Sequence, residues 1–291
     1  MTAVIRKVSI LLRLGKPRIA LMVGITAFTG AVAGITQNHN ADTYTVLLVT
    51  LLTIFTAYGA AVINNYLDRD IDRAMNRTKN RPIVAGEISA PSALRLGVFT
   101  VALSVMLMYF IAGALPALLA LTAALSYTLI YTIYLKRTTP WASIIGAVPG
   151  ALPPLIGYSA ISGRVDMQAM VLFLILLIWQ PPHFWHLAMM LEGDYRRAGI
   201  PVLPVVYGRA FTRRLTLIFS LLMSISLLLP CALNMVGSGY CTGAVILSLL
   251  WTATSLLSHT GKVSNRLAFV MSNLVVLFTF LLFALETTHT L

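Results

Sequence analysis

Three oxygen-bearing side chains recur at intervals of four residues in one short segment of the sequence. They are Asn64, Asp68 and Asp72. Residues four apart lie on one face of a helix, so a helical segment would gather the three side chains into one stripe. Their oxygens suit a hard cation such as Mg²⁺, which takes one or two protein carboxylates and completes its shell with water and phosphate oxygens. The spacing therefore predicts a metal site on this stripe.

A run of basic residues overlaps and follows the stripe. It consists of Arg69, Arg73, Arg77, Lys79 and Arg81. Cations beside metal-binding carboxylates suit a diphosphate, because the metal bridges carboxylate and phosphate while the cations bind the remaining phosphate oxygens. A solvated helix end with ordinary ion pairs would contain the same charges, and this alternative stays open. Asp70 points off the stripe and is interpreted as a solvated partner of an arginine.

A second polar segment contains His183 and His186, three residues apart, and then Asp194. Ionisable residues inside a membrane segment indicate a functional site, although two histidines satisfied by neighbouring backbone or hydroxyl groups would give the same pattern. Asp194 is a candidate for a further metal ligand that faces the first stripe. Other cationic residues expected on this face are Lys16, Arg18, Lys136 and Arg137.

The sequence around these segments is unusually apolar. Of its 291 residues, 58% are hydrophobic and 10% are charged, whereas soluble domains carry about a quarter charged residues. A helix that spans a bilayer needs about 20 mostly apolar residues. Nine stretches qualify, at approximately 18–37, 44–64, 93–112, 115–134, 141–160, 167–189, 214–234, 240–258 and 267–286. We therefore predict an all-α fold, a polytopic helical bundle of nine transmembrane helices in a lipid bilayer, with residues 1–291 as a single membrane-embedded domain.

The basic residues orient this bundle. With a cytoplasmic N-terminus, 20 of the 21 Lys and Arg residues lie in cytoplasmic segments and only Arg164 lies outside, as the positive-inside rule requires. The C-terminus is then outside. The net charge of +12 is spread over short loops and forms no stripe on a soluble module, so nucleic acid is not expected as a partner. The basic N-terminal segment shows no cleavage site, which favours a bacterial cytoplasmic (inner) membrane.

The two cysteines, Cys231 and Cys241, flank one loop. They are too few for a disulfide scaffold or a cysteine-rich metal site. They would pair if the loop faced an oxidising compartment. Two unpaired cysteines in membrane helices are more typical of such a sequence, and this is the expectation.

In these motifs the chain resembles the UbiA superfamily of intramembrane prenyltransferases, whose members have nine helices and bind a prenyl diphosphate through Mg²⁺ at two aspartate-rich motifs. The matching residues are Asn64, Asp68 and Asp72 in the first motif and Asp194 in the second. Asn65 and Met190 stand where quinone-pathway members have aspartate. The departure at Met190 argues against a quinone-pathway enzyme.

Within the superfamily, the chain is most similar to the members that farnesylate protohaem IX. The segments that carry this resemblance are 16–18, 64–72, 77–82, 131–137, 146–157, 182–185 and 198–204. The resemblance implies transfer of a farnesyl group from farnesyl diphosphate to a vinyl group of protohaem IX with addition of water, which gives haem O and diphosphate. A downstream haem-modifying or oxidase-assembly protein is the further partner that such a product implies.

The resemblance also implies roles for individual residues. The implied Mg²⁺ ligands are Asn64, Asp68, Asp72 and Asp194, which form the catalytic set together with Lys136. The residues implied to bind the diphosphate are Arg77, Lys79, Arg81 and Arg137. Either His183 or His186 would orient the haem.

Two other functions are compatible with parts of the sequence. One is a prenyltransferase of the same fold that acts on an aromatic acid or a quinone precursor; Met190 and the two histidines disfavour it. The other is a non-catalytic membrane protein that handles haem or transports a solute. Transporters place ionisable residues near the bilayer midplane, whereas here these residues cluster at one membrane face.

Overall fold

The computed structural model describes residues 3–37 and 42–289, and the regular elements in this part of the chain are helices. We number them α1 to α13 and count a helix with an internal change of pitch or a short break as one. Their bounds are α1 Ala3–Leu14, α2 Pro17–Ile35, α3 Thr43–Leu67, α4 Arg69–Ala74, α5 Ala90–Ala112, α6 Ala114–Thr138, α7 Ala142–Ser162, α8 Met167–Met190, α9 Glu192–Arg197, α10 Leu203–Val206, α11 Gly208–Ala232, α12 Ser238–His259 and α13 Asn265–His289.

Nine helices of the described chain are long and apolar enough to cross a membrane. They are α2, α3, α5, α6, α7, α8, α11, α12 and α13. The prediction of nine spans is confirmed, and each span overlaps one predicted stretch. α11 begins at Gly208 instead of the predicted 214, because the helix continues through Arg209, Arg213 and Arg214, whose charges ended the apolar stretch in the sequence.

The spanning helices close into one bundle. α2 lies beside α3, α7 and α13, α3 packs on α5, and α8 contacts both α11 and α13. A continuous core runs between them and includes the fully buried Tyr158, Trp251 and Phe280. Large apolar side chains such as Phe99 and Phe110 point outwards, which suits a surface that faces lipid.

α7 consists of three short pieces that break at Gly146 and Leu152, and it contains Pro149, Pro153 and Pro154. Irregular backbone at membrane depth needs hydrogen-bond partners within the protein. Gln180 of α8 supplies one, since its Nε2 donates to the carbonyl oxygen of Ala147 at 2.9 Å. α2 approaches from another side so closely that a side chain at Gly157 would overlap the backbone of Ala27. The interrupted helix is thus held between two continuous ones.

The two cysteines are bonded to each other, so the expectation of unpaired cysteines is wrong. Cys231 lies at the end of α11 and Cys241 near the start of α12, with their Cα atoms 5.7 Å apart. Because α11 crosses the bundle from Gly208, the loop between the cysteines lies at the end opposite the charged loops. Disulfides persist in oxidising compartments, and the pairing therefore agrees with a position of this loop outside the cytoplasm.

α1 lies outside the predicted spans and packs against α3. Its attachment is polar as well as apolar: the hydroxyl group of Tyr58 donates to the carbonyl oxygen of Leu11 at 2.9 Å, and Arg13 forms an ion pair with Glu87. This guanidinium group lowers the pKa of the Glu87 carboxyl. α1 is therefore attached by side-chain contacts both to α3 and to the loop that follows α4.

The predicted orientation can be tested at two arginines whose side chains are equally exposed, Arg164 at 62% and Arg196 at 63%. In a Cys231→Ser, Cys241→Ser background, we expect Arg164→Cys to react with a membrane-impermeant maleimide in intact bacterial cells. Arg196→Cys should react only after lysis, because the positive-inside rule places it in the cytoplasm. Labelling of both sites in lysed cells is the control, and the reverse pattern in intact cells would overturn the orientation.

Candidate active site

The predicted stripe lies where α3 gives way to α4. A bend at Asp68 separates the two helices, but the helical hydrogen bonds continue through it, from Asp68 N to Asn64 O and from Asp72 N to Asp68 O, both at 2.8 Å. The three side chains therefore stay on one face. Asn64, Asp68 and Asp72 are only 2%, 1% and 2% exposed. A solvated helix end does not fit such burial, because buried carboxylates need specific partners.

Each carboxylate of the stripe has a cation from another part of the chain. Lys136 of α6 places its Nζ 2.6 Å from Asp68 Oδ2, and Arg81 places Nη1 2.6 Å from Asp72 Oδ2. The side chains of both aspartates are almost fully enclosed, at 2% and 3% exposure. These two ion pairs bring the basic run and the end of α6 onto the stripe, as the sequence predicts for Arg81 and Lys136.

Lys136 reaches the stripe from a segment of unusual pitch. Residues Ser126–Leu135 within α6 form wide π-helical turns, a conformation often found at functional sites. Thr132 in this segment donates through Oγ1 to the carbonyl oxygen of Tyr127, five residues earlier, at 2.8 Å. Tyr127 and Tyr131 stack with ring centroids 5.9 Å apart. Sequence reasoning did not include Tyr127, Tyr131 or Thr132 in the site, since a change of helical pitch has no signal in the sequence.

Asn64 connects three elements through its amide group. Its Nδ2 donates to Asp68 Oδ2 and to Thr132 Oγ1, both at 2.9 Å. Its Oδ1 accepts a hydrogen bond from Lys16 Nζ at 2.6 Å, and the same Nζ lies 3.4 Å from the hydroxyl group of Tyr127. Lys16 thus belongs to the site, whereas the sequence placed it only among the general cationic residues of this face.

Lys16 is a cation crowded by other cations. Burial, followed by the charge of Arg81, lowers the pKa of its ammonium group to about 7, and Lys136 acts in the same direction. Asp68 and Asp72 oppose this effect. Three positive groups therefore surround two carboxylates, an arrangement that an added anion would stabilise.

The second motif meets the loop that follows α4. Asp194 of α9 is 8% exposed, and its Oδ2 accepts the backbone N–H of Arg77 at 3.1 Å. Arg197 forms an ion pair with the same carboxylate. Burial raises the pKa of the neighbouring Tyr195, and the charges that act on this phenol include those of Asp68 and Arg81. Asp194 thus lies on the side of the first motif, as predicted.

Other predicted residues stay at the margin of the site. The side chains of Arg77 and Lys79 are exposed, and Lys79 Nζ contacts Asn76 Oδ1 at 3.3 Å. Arg137 makes two hydrogen bonds to Asp70, at 2.8 and 2.9 Å, which lower the pKa of that carboxyl to about 2. The interpretation of Asp70 as a solvated partner of arginine agrees with this pair. Met190, at the end of α8, is 39% exposed.

The residues of the stripe fit a magnesium ion. Asp68 Oδ1 is buried and has no hydrogen-bond partner, although a buried carboxylate oxygen normally has one. In the described part of the chain no three His, Cys, Asp or Glu side chains come together as a metal cage. One or two carboxylates with water and phosphate are the usual surroundings of Mg²⁺, and the donor set around Asp68 and Asp72 agrees with that.

The two histidines belong to α8, and their side chains contact α13. His183 is sandwiched by Trp179 and Phe269, with ring centroids 4.6 and 4.4 Å away, and its Nδ1 is 2.7 Å from Ser272 Oγ. His186 Nδ1 is 3.3 Å from Asn265 Oδ1. None of these contacts involves the stripe.

Comparisons with known proteins agree with this architecture. The sequence matches the UbiA prenyltransferase family over residues 23–284. A protein of Neorickettsia sennetsu named protoheme IX farnesyltransferase is 39% identical to this chain over 268 residues, which cover 92% of this chain and 88% of that protein. A protein of Aquifex aeolicus with the same name is 37% identical over 91% of this chain and 90% of its own length.

Solved structures share the fold. A structure described for digeranylgeranylglyceryl phosphate synthase superposes with a TM-score of 0.76 at 23% identity and covers 97% of this chain and 99% of its own. A UbiA homologue from Archaeoglobus fulgidus, bound to DMAPP and Mg²⁺, gives a TM-score of 0.65 at 19% identity, with coverage of 97% and 99%. At these identities the likeness concerns the fold alone.

The enclosed and the exposed ion pair should differ in their effect on stability. Lys136→Met leaves the carboxylate of Asp68 buried without a cation, and we expect it to lower the free energy of unfolding by about 3 kcal/mol. Arg137→Met breaks the pair with Asp70, whose side chain is 62% exposed, and should cost less than about 1 kcal/mol. Denaturation in detergent micelles, without Mg²⁺ or diphosphate, measures both. Equal losses would contradict the enclosed position of the Asp68–Lys136 pair.

Proposed function

Because this chain belongs to the UbiA prenyltransferase family, we propose that its stripe of carboxylates and cations binds farnesyl diphosphate and that the farnesyl group is transferred to protohaem IX. The reaction joins C1 of the farnesyl group to a vinyl group of the haem, adds water to the product and releases diphosphate, which gives haem O. The observation that carries the diphosphate site is the enclosed pairing of Asp68 and Asp72 with Lys136 and Arg81. The similarity to farnesyltransferases over nearly the whole chain supports the acceptor.

Asp68 and Asp72 would hold Mg²⁺, together with Asn64 and, from the second motif, Asp194. Asp68 Oδ1 is already without a partner, whereas Asn64 Oδ1 becomes available only when Lys16 turns away from it. Bound there, Mg²⁺ would neutralise part of the diphosphate charge and favour departure of the leaving group. An analogous metal and prenyl ligand are named for the Archaeoglobus fulgidus homologue.

The cations of the site would exchange partners when the diphosphate binds. In the free protein, Lys136 and Arg81 neutralise the two carboxylates, and Lys16 is held by Asn64. Phosphate oxygens would take these three cations from their protein partners. The positive groups would then stabilise the negative charge that grows on the leaving diphosphate, from positions that the fold fixes in advance. The exposed Arg77 and Lys79, and Arg137 at the edge, would draw the anion towards the site.

A haem contact is best assigned to His186. Its Nε2 is buried without a hydrogen-bond partner, while its Nδ1 contacts Asn265; a hydrogen bond to the other ring nitrogen orients an imidazole that binds a metal. His183 is instead held between two aromatic rings. The membrane location suits both substrates, because the farnesyl chain and the porphyrin are largely apolar.

The protein would act in the cytoplasmic (inner) membrane of a bacterium, with the site on the cytoplasmic side. Twenty of the 21 Lys and Arg residues lie on that side of the proposed orientation, and the Cys231–Cys241 disulfide lies at the opposite end of the bundle. The product haem O would pass to a downstream haem-modifying or oxidase-assembly protein.

An activity assay tests the proposed reaction. Purified protein in lipid, supplied with protohaem IX, farnesyl diphosphate and Mg²⁺, should yield a haem species heavier by a farnesyl group plus the elements of water, detected by mass spectrometry. Asp68→Ala or omission of Mg²⁺ should lower the rate by about a hundredfold or more. Asp42→Ala is the matched control, because Asp42 caps the opposite end of the same helix, and it should retain activity.

Two results would overturn parts of this proposal. Prenylation of a hydroxybenzoate or naphthoate, with none of protohaem, would keep the diphosphate site and refute the acceptor. The absence of any transfer, together with no binding of farnesyl diphosphate, would refute the enzymatic function.

A further inference from the structure

We propose that Asn65 is a positioning residue that places Lys16 in the diphosphate site by holding the turn between α1 and α2. This inference rests on the proposed function, because it assumes that Lys16 meets the diphosphate. Asn65 itself touches neither the carboxylates nor the cations of the stripe in the structure. Its contact is with the backbone just before Lys16.

The contact is short and fully enclosed. Asn65 Nδ2 donates to the carbonyl oxygen of Leu14 at 2.7 Å, and the two residues are 1% and 0% exposed. In such surroundings a hydrogen bond is strong and costly to lose. Asn65 therefore fixes the last carbonyl group of α1 relative to α3.

The turn that follows is in an unfavourable conformation. Lys16 has φ 50° and ψ 64°, the left-handed region that few residues other than glycine adopt. Gly15, just before it, lies against the ring of Tyr58 so closely that any side chain would overlap that ring. A backbone of this kind persists only where neighbouring contacts hold it, and the hydrogen bond from Asn65 is a buried side-chain contact to the backbone two residues before it.

Two successive asparagines thus position Lys16, one through the backbone that precedes it and the other through its ammonium group. Asn65 holds the backbone two residues before it, and Asn64 accepts its ammonium group at 2.6 Å. Because neighbouring residues of α3 point in different directions, one side chain reaches the turn while the other faces the stripe. The left-handed turn then directs the lysine side chain back to the site.

This contact requires a hydrogen-bond donor at position 65. An ionised carboxylate there would set an acceptor against the carbonyl oxygen of Leu14, whereas the amide group of Asn65 supplies a donor. The residue is needed for its donor, while its Oδ1 is buried without a partner.

Tyr58 offers a matched control. Its hydroxyl group also donates from α3 to a carbonyl group of α1, that of Leu11, at 2.9 Å. Leu11 lies about one turn before Leu14, and Tyr58→Phe keeps the ring that packs against Gly15. If Asn65 served only to dock α1 on the bundle, Tyr58→Phe would have the same consequences as a change at Asn65.

The test is a double-mutant cycle on the binding of farnesyl diphosphate to the full-length protein in lipid nanodiscs with Mg²⁺. Lys16→Met should weaken binding about tenfold, as expected for loss of a charge-assisted hydrogen bond. Asn65→Asp should weaken it by a similar factor in the wild-type background. In the Lys16→Met background, Asn65→Asp should change binding less than about twofold, because a residue that acts through Lys16 has nothing left to position. Tyr58→Phe should change it less than about twofold.

Independent effects of Asn65→Asp and Lys16→Met, with a loss in the double variant equal to the product of the two, would overturn the inference. So would an equal loss in Tyr58→Phe. Asn65→Ala, which removes the donor without adding an acceptor, replaces Asn65→Asp in the cycle if the latter does not fold, as judged by size-exclusion chromatography.

Failure of the proposed function gives a different result. Because the measurement needs no haem, a wild-type protein that binds farnesyl diphosphate but does not farnesylate protohaem would refute the acceptor and leave the cycle readable. A wild-type protein that binds no farnesyl diphosphate would refute the site, and the role of Asn65 with it.

Discussion

The need to neutralise buried charge at the membrane edge is the constraint on which the site depends. A carboxylate removed from water loses several kcal/mol of solvation, and Asp68 and Asp72 are both almost fully enclosed. Lys136 and Arg81 compensate for this loss at 2.6 Å. The two cations come from α6 and from the loop after α4, so the pairing is possible only when these elements pack against the end of α3. The carboxylates of the stripe are therefore neutralised only when α6 and the loop after α4 are packed in place.

Lipid as a solvent imposes the rest of the architecture. In hydrocarbon the backbone must satisfy its own hydrogen bonds, which explains why the regular elements of the described chain are helices. The broken helix α7 lies between α2 and α8, and the π-helical turns of α6 face the stripe. The breaks in α7 accommodate its prolines. The wide turns of α6 place Thr132 and Lys136 beside the stripe.

The sequence predicted the spans and much of the stripe, because hydropathy and a four-residue spacing are local properties. It did not predict the partners of Asn64 in the stripe, Lys16 and Thr132. Lys16 reaches Asn64 through a left-handed turn, and Thr132 through a change of helical pitch, and neither has a local signal. The predicted start of α11 was six residues too late, because the arginines that ended the apolar stretch lie within the helix. The cysteine pairing depended on the relative position of two helices, for which the spacing of the residues gives no information.

The pairing of the stripe in the free protein has a consequence for the order in which ligands arrive. A divalent cation alone would meet the charges of Lys136 and Arg81 beside the carboxylates, and a diphosphate alone would face the carboxylates that those cations leave behind. Together the two ligands would exchange partners without leaving a charge uncompensated. Each would then raise the affinity for the other by the same factor, since such coupling is reciprocal. The proposed site would therefore respond to the metal and the anion as a pair, and the enclosed salt bridges would discriminate against either one alone.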